Sequence, residues 1–209
     1  MIKVAITDDH PLLLEGLKNI LGNSETIDVV DCFKDVSEMN AGLEKQSIDI
    51  LLLDINLLDT NSIELIKPLR KKYKNLQIIM LSVHNEFPVI NSTLTEGALG
   101  YIQKNASITE ILEGITTVYQ GKQFLCSQTK SILEKKSPNE LNQVPKLTRR
   151  EKEILAEAAK GLTTNQMAQK LFISPHTVES HRKNVIEKFK TSNLSSAIKL
   201  AIEYGLIIE

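Results

Sequence analysis

The chain has 209 residues, 42% of them hydrophobic and 24% charged, with a formal net charge of −1. That composition fits a globular protein with room for two modest cores and excludes disordered and membrane-embedded chains; Cys32 and Cys126, with no partner at metal-ligand spacing, are read as buried thiols. Apolar runs such as residues 48–53 fall far short of the roughly 20 residues that span a bilayer, and acids at positions 8 and 9 spoil a secretory signal, so a cytoplasmic location without membrane contact is expected.

The first half alternates short apolar runs with stretches of helical spacing. Strands are expected at residues 2–7, 27–32, 48–53, 77–81 and 99–103, and helices at 12–21, 36–43, 63–69, 87–94 and 108–119. In the last of these, Ile108, Ile111, Leu112, Ile115 and Val118 mark one face. Five strands alternating with five helices predict a parallel sheet covered on both sides. In the flavodoxin-like, doubly wound order 2-1-3-4-5, ligands bind beyond the carboxyl ends of the strands, at the switch point between strands one and three.

Four of those strands end in residues that handle phosphate or metal: Asp8 and Asp9, Asp54, Ser82 and Lys104. Crowded carboxylates repel one another unless a cation neutralises them, and hard oxygen donors suit magnesium. A carboxylate facing a metal can attack phosphorus to give an aspartyl phosphate, with a lysine balancing the phosphoryl oxygens and a hydroxyl hydrogen-bonding them. Any one of these residues alone is more simply a turn former, as Asp8 is if it caps a helix starting near Pro11. Agreement among four strand ends favours a shared site.

Residues 127–146 are polar, contain Pro138 and Pro145, and read as a linker with a helical turn near residues 130–135. The expected layout is a first domain over residues 1–124, a linker over 125–145 and a second domain over 146–209. Charge divides along the same line. Residues 1–126 hold 11 Lys and Arg against 17 Asp and Glu, whereas 127–209 hold 14 against 9, a half that holds cations beside one that meets a polyanion.

Three helix starts are signed in the second domain. Thr148 with Glu151, and Thr163 with Gln166, are capping boxes, and Ser174 precedes Pro175 at a first helical position. The helix from Pro175 to Phe189 buries Val178, Val185 and Phe189 and leaves Glu179, Ser180, Lys183 and Asn184 opposite. A short helix, a turn at residues 172–174 and a polar third helix make a helix-turn-helix, with Lys146, Arg149, Arg150, Lys152, Arg182, Lys183, Lys188 and Lys190 as basic flank. The plainer alternative is a surface helix braced by a Glu179–Lys183 pair. A last helix over residues 195–204 aligns Ala197, Leu200, Ala201 and Tyr204.

Asp8, Asp9, Asp54, Ser82 and Lys104, with the run Gly97-Ala98-Leu99-Gly100-Tyr101, resemble the receiver domain of bacterial two-component response regulators. The resemblance implies that Asp54 takes a phosphoryl group from a sensor histidine kinase. It also implies that Asp8, Asp9, Asp54 and the backbone carbonyl of Asn56 bind Mg2+, that Lys104 pairs with the phosphoryl group, and that Ser82 and Tyr101 relay the change. Residues 57–62 lack the family's Met-Pro and glycines, and Val83 is bulkier than usual. Segments 147–151, 161–168 and 173–181 resemble the LuxR-type DNA-binding domain, and the two matches together resemble the NarL/FixJ class. By that resemblance Glu179, Ser180 and Lys183 face base edges of double-stranded promoter DNA. Thr164, Thr177, Arg182 and Lys188 contact its backbone, and the last helix pairs two domains in a homodimer. The implied protein is a phosphorylation-controlled transcription regulator rather than an enzyme. Two alternatives remain at this stage, a phosphorylation-independent regulator and a magnesium-dependent aspartyl-phosphate phosphohydrolase.

Overall fold

A computed structural model describes residues 1–57, 60–135 and 143–207. The chain divides into two compact units, Met1–Glu140 and Leu141–Glu209. Among the described residues, no helix is long and apolar enough to cross a membrane.

The first unit runs β1 (Ile2–Thr7), α1 (Pro11–Gly22), β2 (Ile27–Phe33), α2 (Val36–Lys45), β3 (Ile50–Asp54), β4 (Asn56–Leu57), β5 (Thr60–Asn61), α3 (Ile63–Lys72), β6 (Gln77–Ser82), α4 (Phe87–Glu96), β7 (Gly100–Gln103), α5 (Ile108–Tyr119), β8 (Phe124–Leu125) and α6 (Ser127–Glu134). The main sheet is parallel in the order β2-β1-β3-β6-β7-β8. The doubly wound five-stranded arrangement expected from the sequence is therefore present, with one two-residue strand added at its edge.

Period and burial explain the elements. All five residues of β3 are buried, as a central strand covered on both faces requires. One core cluster joins Val4, Ile6, Ile50, Leu52, Ile79, Leu81 and Ile102 of the sheet to Leu14, Leu17 and Leu21 of α1 and Ile111, Ile115 and Val118 of α5. Full burial of each such side chain contributes roughly 1.5–3 kcal/mol. Ser107 and Glu110 close a capping box on α5, and Ile108, on the expected stripe but in the first turn, is half-exposed.

Two glycines of the Gly97–Tyr101 run have evident reasons. Gly97 caps α4 with φ +112°, a backbone conformation that side chains with a Cβ resist. At Gly100 an added Cβ would sit 2.7 Å from Ile79 Cγ1 on the neighbouring strand.

The linker expectation needs correction at its start. Leu125 belongs to β8, and Ser127–Glu134 form a helix packed on β7 and α4, not a single turn. Cys126 is buried there, accepting from Thr129 or donating to it at 3.1 Å, whereas Cys32 is only half-buried. A strand of two residues followed by a mostly polar helix gives too weak a periodicity to be seen in sequence. In the loop after Asp54, β4 and β5 form a small antiparallel pair; Leu58 and Asp59, part of the atypical loop, lie outside the described residues.

The second unit contains α7 (Arg149–Ala159), α8 (Thr164–Lys170), α9 (Pro175–Phe189) and α10 (Leu194–Glu203). Both capping boxes form, and Ser174 Oγ accepts from the Thr177 backbone N–H. Ile154, Met167, Ala168 and Val178 make the small core between α7, α8 and α9. On α10, Ala197, Ala201 and the adjoining Tyr204 are buried, and Tyr204 stacks on Phe189 with ring centroids 6.5 Å apart. Three of the four residues aligned on that last helix are therefore used within the unit.

Candidate functional site

At the carboxyl edge of the main sheet, β1 delivers Asp8 and Asp9 and its neighbour β3 delivers Asp54. The switch point places these ends side by side, and β6 and β7 add Ser82 and Lys104 next to them. Lys104 Nζ lies 2.7 Å from Asp8 Oδ2 and 3.0 Å from Asp54 Oδ2, bridging two carboxylates that are almost wholly buried. Burial pushes the Asp54 carboxyl up to about 6, with Lys104 opposing and Asp8 adding to the rise. For Lys104, burial acts downward, but its bonds to Asp8 and Asp54 outweigh this and hold the amine above its ordinary range.

Donor atoms of Asp8, Asp9, His10 and Asp54 all lie within 4.8 Å of one another, a set of mainly hard oxygens that fits a divalent cation. His10 is a member the sequence reading left out. Its Nδ1 lies 2.9 Å from Asp8 and 2.8 Å from Asp9. Asp8 is not a helix cap: its Oδ1 accepts from the His10 backbone N–H in a turn before α1.

A second layer surrounds Ser82. Its Oγ accepts from the backbone N–H of His84 at 2.9 Å, and Tyr101, fully buried, donates its hydroxyl to the His84 carbonyl at 2.9 Å. Burial drives the Tyr101 phenol well above its ordinary value, with a hydrogen bond from Ser82 acting against it. The His84 ring also meets Asn56, Nε2 to Nδ2 at 2.9 Å, so the loop after β6 is tied to the loop after Asp54. His84 escaped the sequence reading because nothing in its neighbours marks it; only the paths of two loops bring it to Asn56.

On the second unit, α9 presents Glu179, Ser180 and Lys183 to solvent. Lys183 makes no ion pair among the described residues. Ser180 returns its hydroxyl to the His176 carbonyl at 3.0 Å. Glu179 pairs with Arg182 at i+3, 2.7 Å, and not with Lys183 as the braced-helix alternative required. Thr164, at the start of α8, donates to Glu179 Oε1 at 2.6 Å and accepts from Arg182 Nη1 at 2.5 Å. The Thr164 bond is the main reason the Glu179 carboxyl sits below the usual carboxylate range.

Several of the expected basic contacts are already engaged. Lys188 Nζ reaches the buried Glu151 carboxylate at 2.7 Å and the Lys146 carbonyl at 3.0 Å, and Arg149 and Arg150 both pair with Glu153. Thr177 is part of the α9 cap, its hydroxyl 2.8 Å from that of Ser174.

Both units match known families in the same order. Residues 4–116 match the model described as the response regulator receiver domain, and residues 145–201 that of bacterial regulatory proteins of the luxR family. The transcriptional regulatory protein LnrK of Bacillus subtilis (strain 168) is 32% identical over 222 residues, covering 100% of both chains. A structure of RcsB from Salmonella enterica serovar Typhimurium, bound to promoter rprA with phosphomimetic BeF3-, superposes with a TM-score of 0.64 at 25% identity, covering 95% of this chain and 98% of that one. A structure of two RcsB dimers bound to two parallel DNAs gives a TM-score of 0.63 at 25% identity, covering 97% and 98%.

The chain belongs to the two-component response regulators, with a receiver domain followed by a LuxR-type DNA-binding domain. That pairing of domains is the NarL/FixJ arrangement, in which the first unit controls DNA binding by the second.

Proposed function

We propose that this regulator works in the cytoplasm, that Asp54 is its phosphoacceptor, and that phosphorylation of Asp54 by a sensor histidine kinase favours a homodimer bound to promoter DNA. The observation that carries the reading is the Lys104 amine held between Asp8 and Asp54 at the sheet edge. In the transfer, an Asp54 carboxylate oxygen forms a bond to phosphorus as the phosphorus–nitrogen bond of a phosphohistidine breaks, and the imidazole nitrogen leaves with the electron pair. Lys104 balances the charge of the phosphoryl oxygens, and the Ser82 hydroxyl turns from the His84 N–H toward them. Asp8, Asp9, Asp54 and the Asn56 carbonyl would hold Mg2+, which would supply positive charge against the acceptor carboxylate and the incoming group. Release of Ser82 alters the bonds that tie His84 to Tyr101, giving two arrangements whose populations phosphorylation shifts.

For the second unit, the structures of RcsB on DNA support placing α9 in the major groove, with Glu179, Ser180 and Lys183 toward the bases. Thr164, Thr177, Arg182 and Lys188 border that face. Lys183 is exposed and makes no ion pair among the described residues, so its charge is available to DNA.

The test is direct. Incubation with an acyl phosphate and Mg2+ should label wild type, and chelation or Asp54→Ala should abolish the label; labelling of Asp54→Ala at the wild-type level would refute the assignment. In gel shifts, Lys183→Ala should weaken promoter binding, and unchanged affinity removes Lys183 from the contact set.

A further inference from the structure

The carboxylate of Glu179 is an odd group to offer a polyanion. Exposed and unrestrained, it would repel phosphates and lose rotamer freedom on binding. Here it is neither unrestrained nor unbalanced. Its Oε1 accepts from the Thr164 hydroxyl and from Arg182 Nη1, and Arg182 Nη1 also donates to the Thr164 oxygen, closing a three-membered ring of hydrogen bonds. The side chain of Glu179 is 56% exposed and that of Arg182 only 30%, so the guanidinium lies beneath the carboxylate and cancels its charge. Among the described residues, Oε2 makes no hydrogen bond and remains a single, fixed acceptor on the outer face of α9.

The ring also decides what Thr164 can do. Its hydroxyl has one proton, and it donates that proton's hydrogen bond to the Glu179 carboxylate. While the ring stands, the Thr164 side chain has no donor left for a phosphate oxygen. The sequence resemblance cast Thr164 and Arg182 as backbone contacts; the geometry gives them a different task.

We infer that Thr164 and Arg182 are positioning residues that hold Glu179 as a reader of cytosine in the major groove. The inference rests on the proposed placement of α9 and deepens it by assigning the base. Cytosine presents an amino donor there without an adjacent acceptor of its own, whereas adenine sets N7, an acceptor, beside its amino group and guanine presents two acceptors. A lone carboxylate oxygen is therefore matched to cytosine and opposed by the purines. Charge cancellation by Arg182 lets it approach without repelling the flanking phosphates.

The full-length chain is taken through selection from a random duplex library, and binding to the selected duplex and its single-base variants is titrated by fluorescence anisotropy over a range of salt. The selected site should contain a C·G pair whose replacement by T·A weakens wild type roughly tenfold. Glu179→Ala should lose most of that dependence. Thr164→Val, which removes the hydroxyl and keeps the shape, should reduce it to within about threefold, and Thr164→Ser should restore it. Arg182→Lys keeps the charge but not the fork and should act like Thr164→Val; it carries the test if the valine variant does not fold. In both variants the slope of affinity against salt should match wild type. A Thr164→Val protein weakened equally on every duplex, with a slope shallower by about one phosphate, would make Thr164 a backbone contact and overturn the inference. Wild-type discrimination retained by Thr164→Val and Arg182→Lys would overturn it as well. A wild type that selects no sequence would remove the base-reading role of α9 itself, and a selected site indifferent to Glu179→Ala would remove only the assignment made here.

Discussion

Replacing Asp54 by asparagine should stabilise this protein, and the effect should depend on pH. An ordinary aspartate titrates near 3.9, whereas Asp54 in the fold is pushed up to about 6 by burial, Asp8 and Asp9 against the pull of Lys104. Its side chain is only 6% exposed, so solvent screens little of this. At about 1.4 kcal/mol per tenfold change, the difference amounts to about 3 kcal/mol. The folded state holds a proton between roughly pH 4 and 6 that the unfolded state has released, so stability falls as pH rises through that window and the full penalty is present above it. Urea melts in chelator should find Asp54→Asn more stable than wild type by about 2–3 kcal/mol at pH 7.5, with the gap shrinking below about 1 kcal/mol near pH 4. A variant of equal or lower stability at pH 7.5, or a gap that does not move with pH, would refute the argument. Mg2+ added at pH 7.5 should raise wild-type stability more than that of the variant.

Other expectations follow from single contacts. Lys188→Met leaves the Glu151 carboxylate buried with its capping bond but without its cation, and should destabilise the second unit by about 1–3 kcal/mol in thermal melts; a neutral result would free Lys188 for DNA. Tyr101→Phe removes one bond to the His84 carbonyl, costing about 1 kcal/mol by urea denaturation of the first unit, and an unchanged midpoint would show that bond to contribute nothing. Gly100→Ala drives a Cβ into Ile79 and should cost about 1–3 kcal/mol, a cost the double variant Gly100→Ala with Ile79→Val should partly recover.

Asp8, Asp9, Asp54, Ser82 and Lys104 were legible as a group because alternation of strands and helices fixes where strand ends go, whatever the side chains do there. The same logic is silent about His10, whose ring reaches the cluster by a turn, and about His84 and Asn56, which meet only through two loops. Helix starts in the second unit were readable from capping residues, which act within four positions. Pairings on the helix surface were not: Glu179 chose Arg182 over Lys183 because Thr164, fifteen residues away, supplies a second donor on that side. Basic residues counted together as a flank likewise divide in the structure, with Lys188, Arg149 and Arg150 committed to carboxylates of α7.

The short strand β8 has a mechanical consequence. Cys126, which follows it, donates its backbone N–H to the carbonyl of Tyr101 at 3.2 Å, and α6 starts at the next residue. Tyr101, whose hydroxyl donates to the His84 carbonyl, is thus one hydrogen bond from the segment by which the chain leaves the receiver. Strand β7 is fastened on one side to β6, which ends in Ser82, and on the other to β8, which leads into the exit helix. A shift of Tyr101 along its strand would be handed through that one bond to Cys126, the residue before α6.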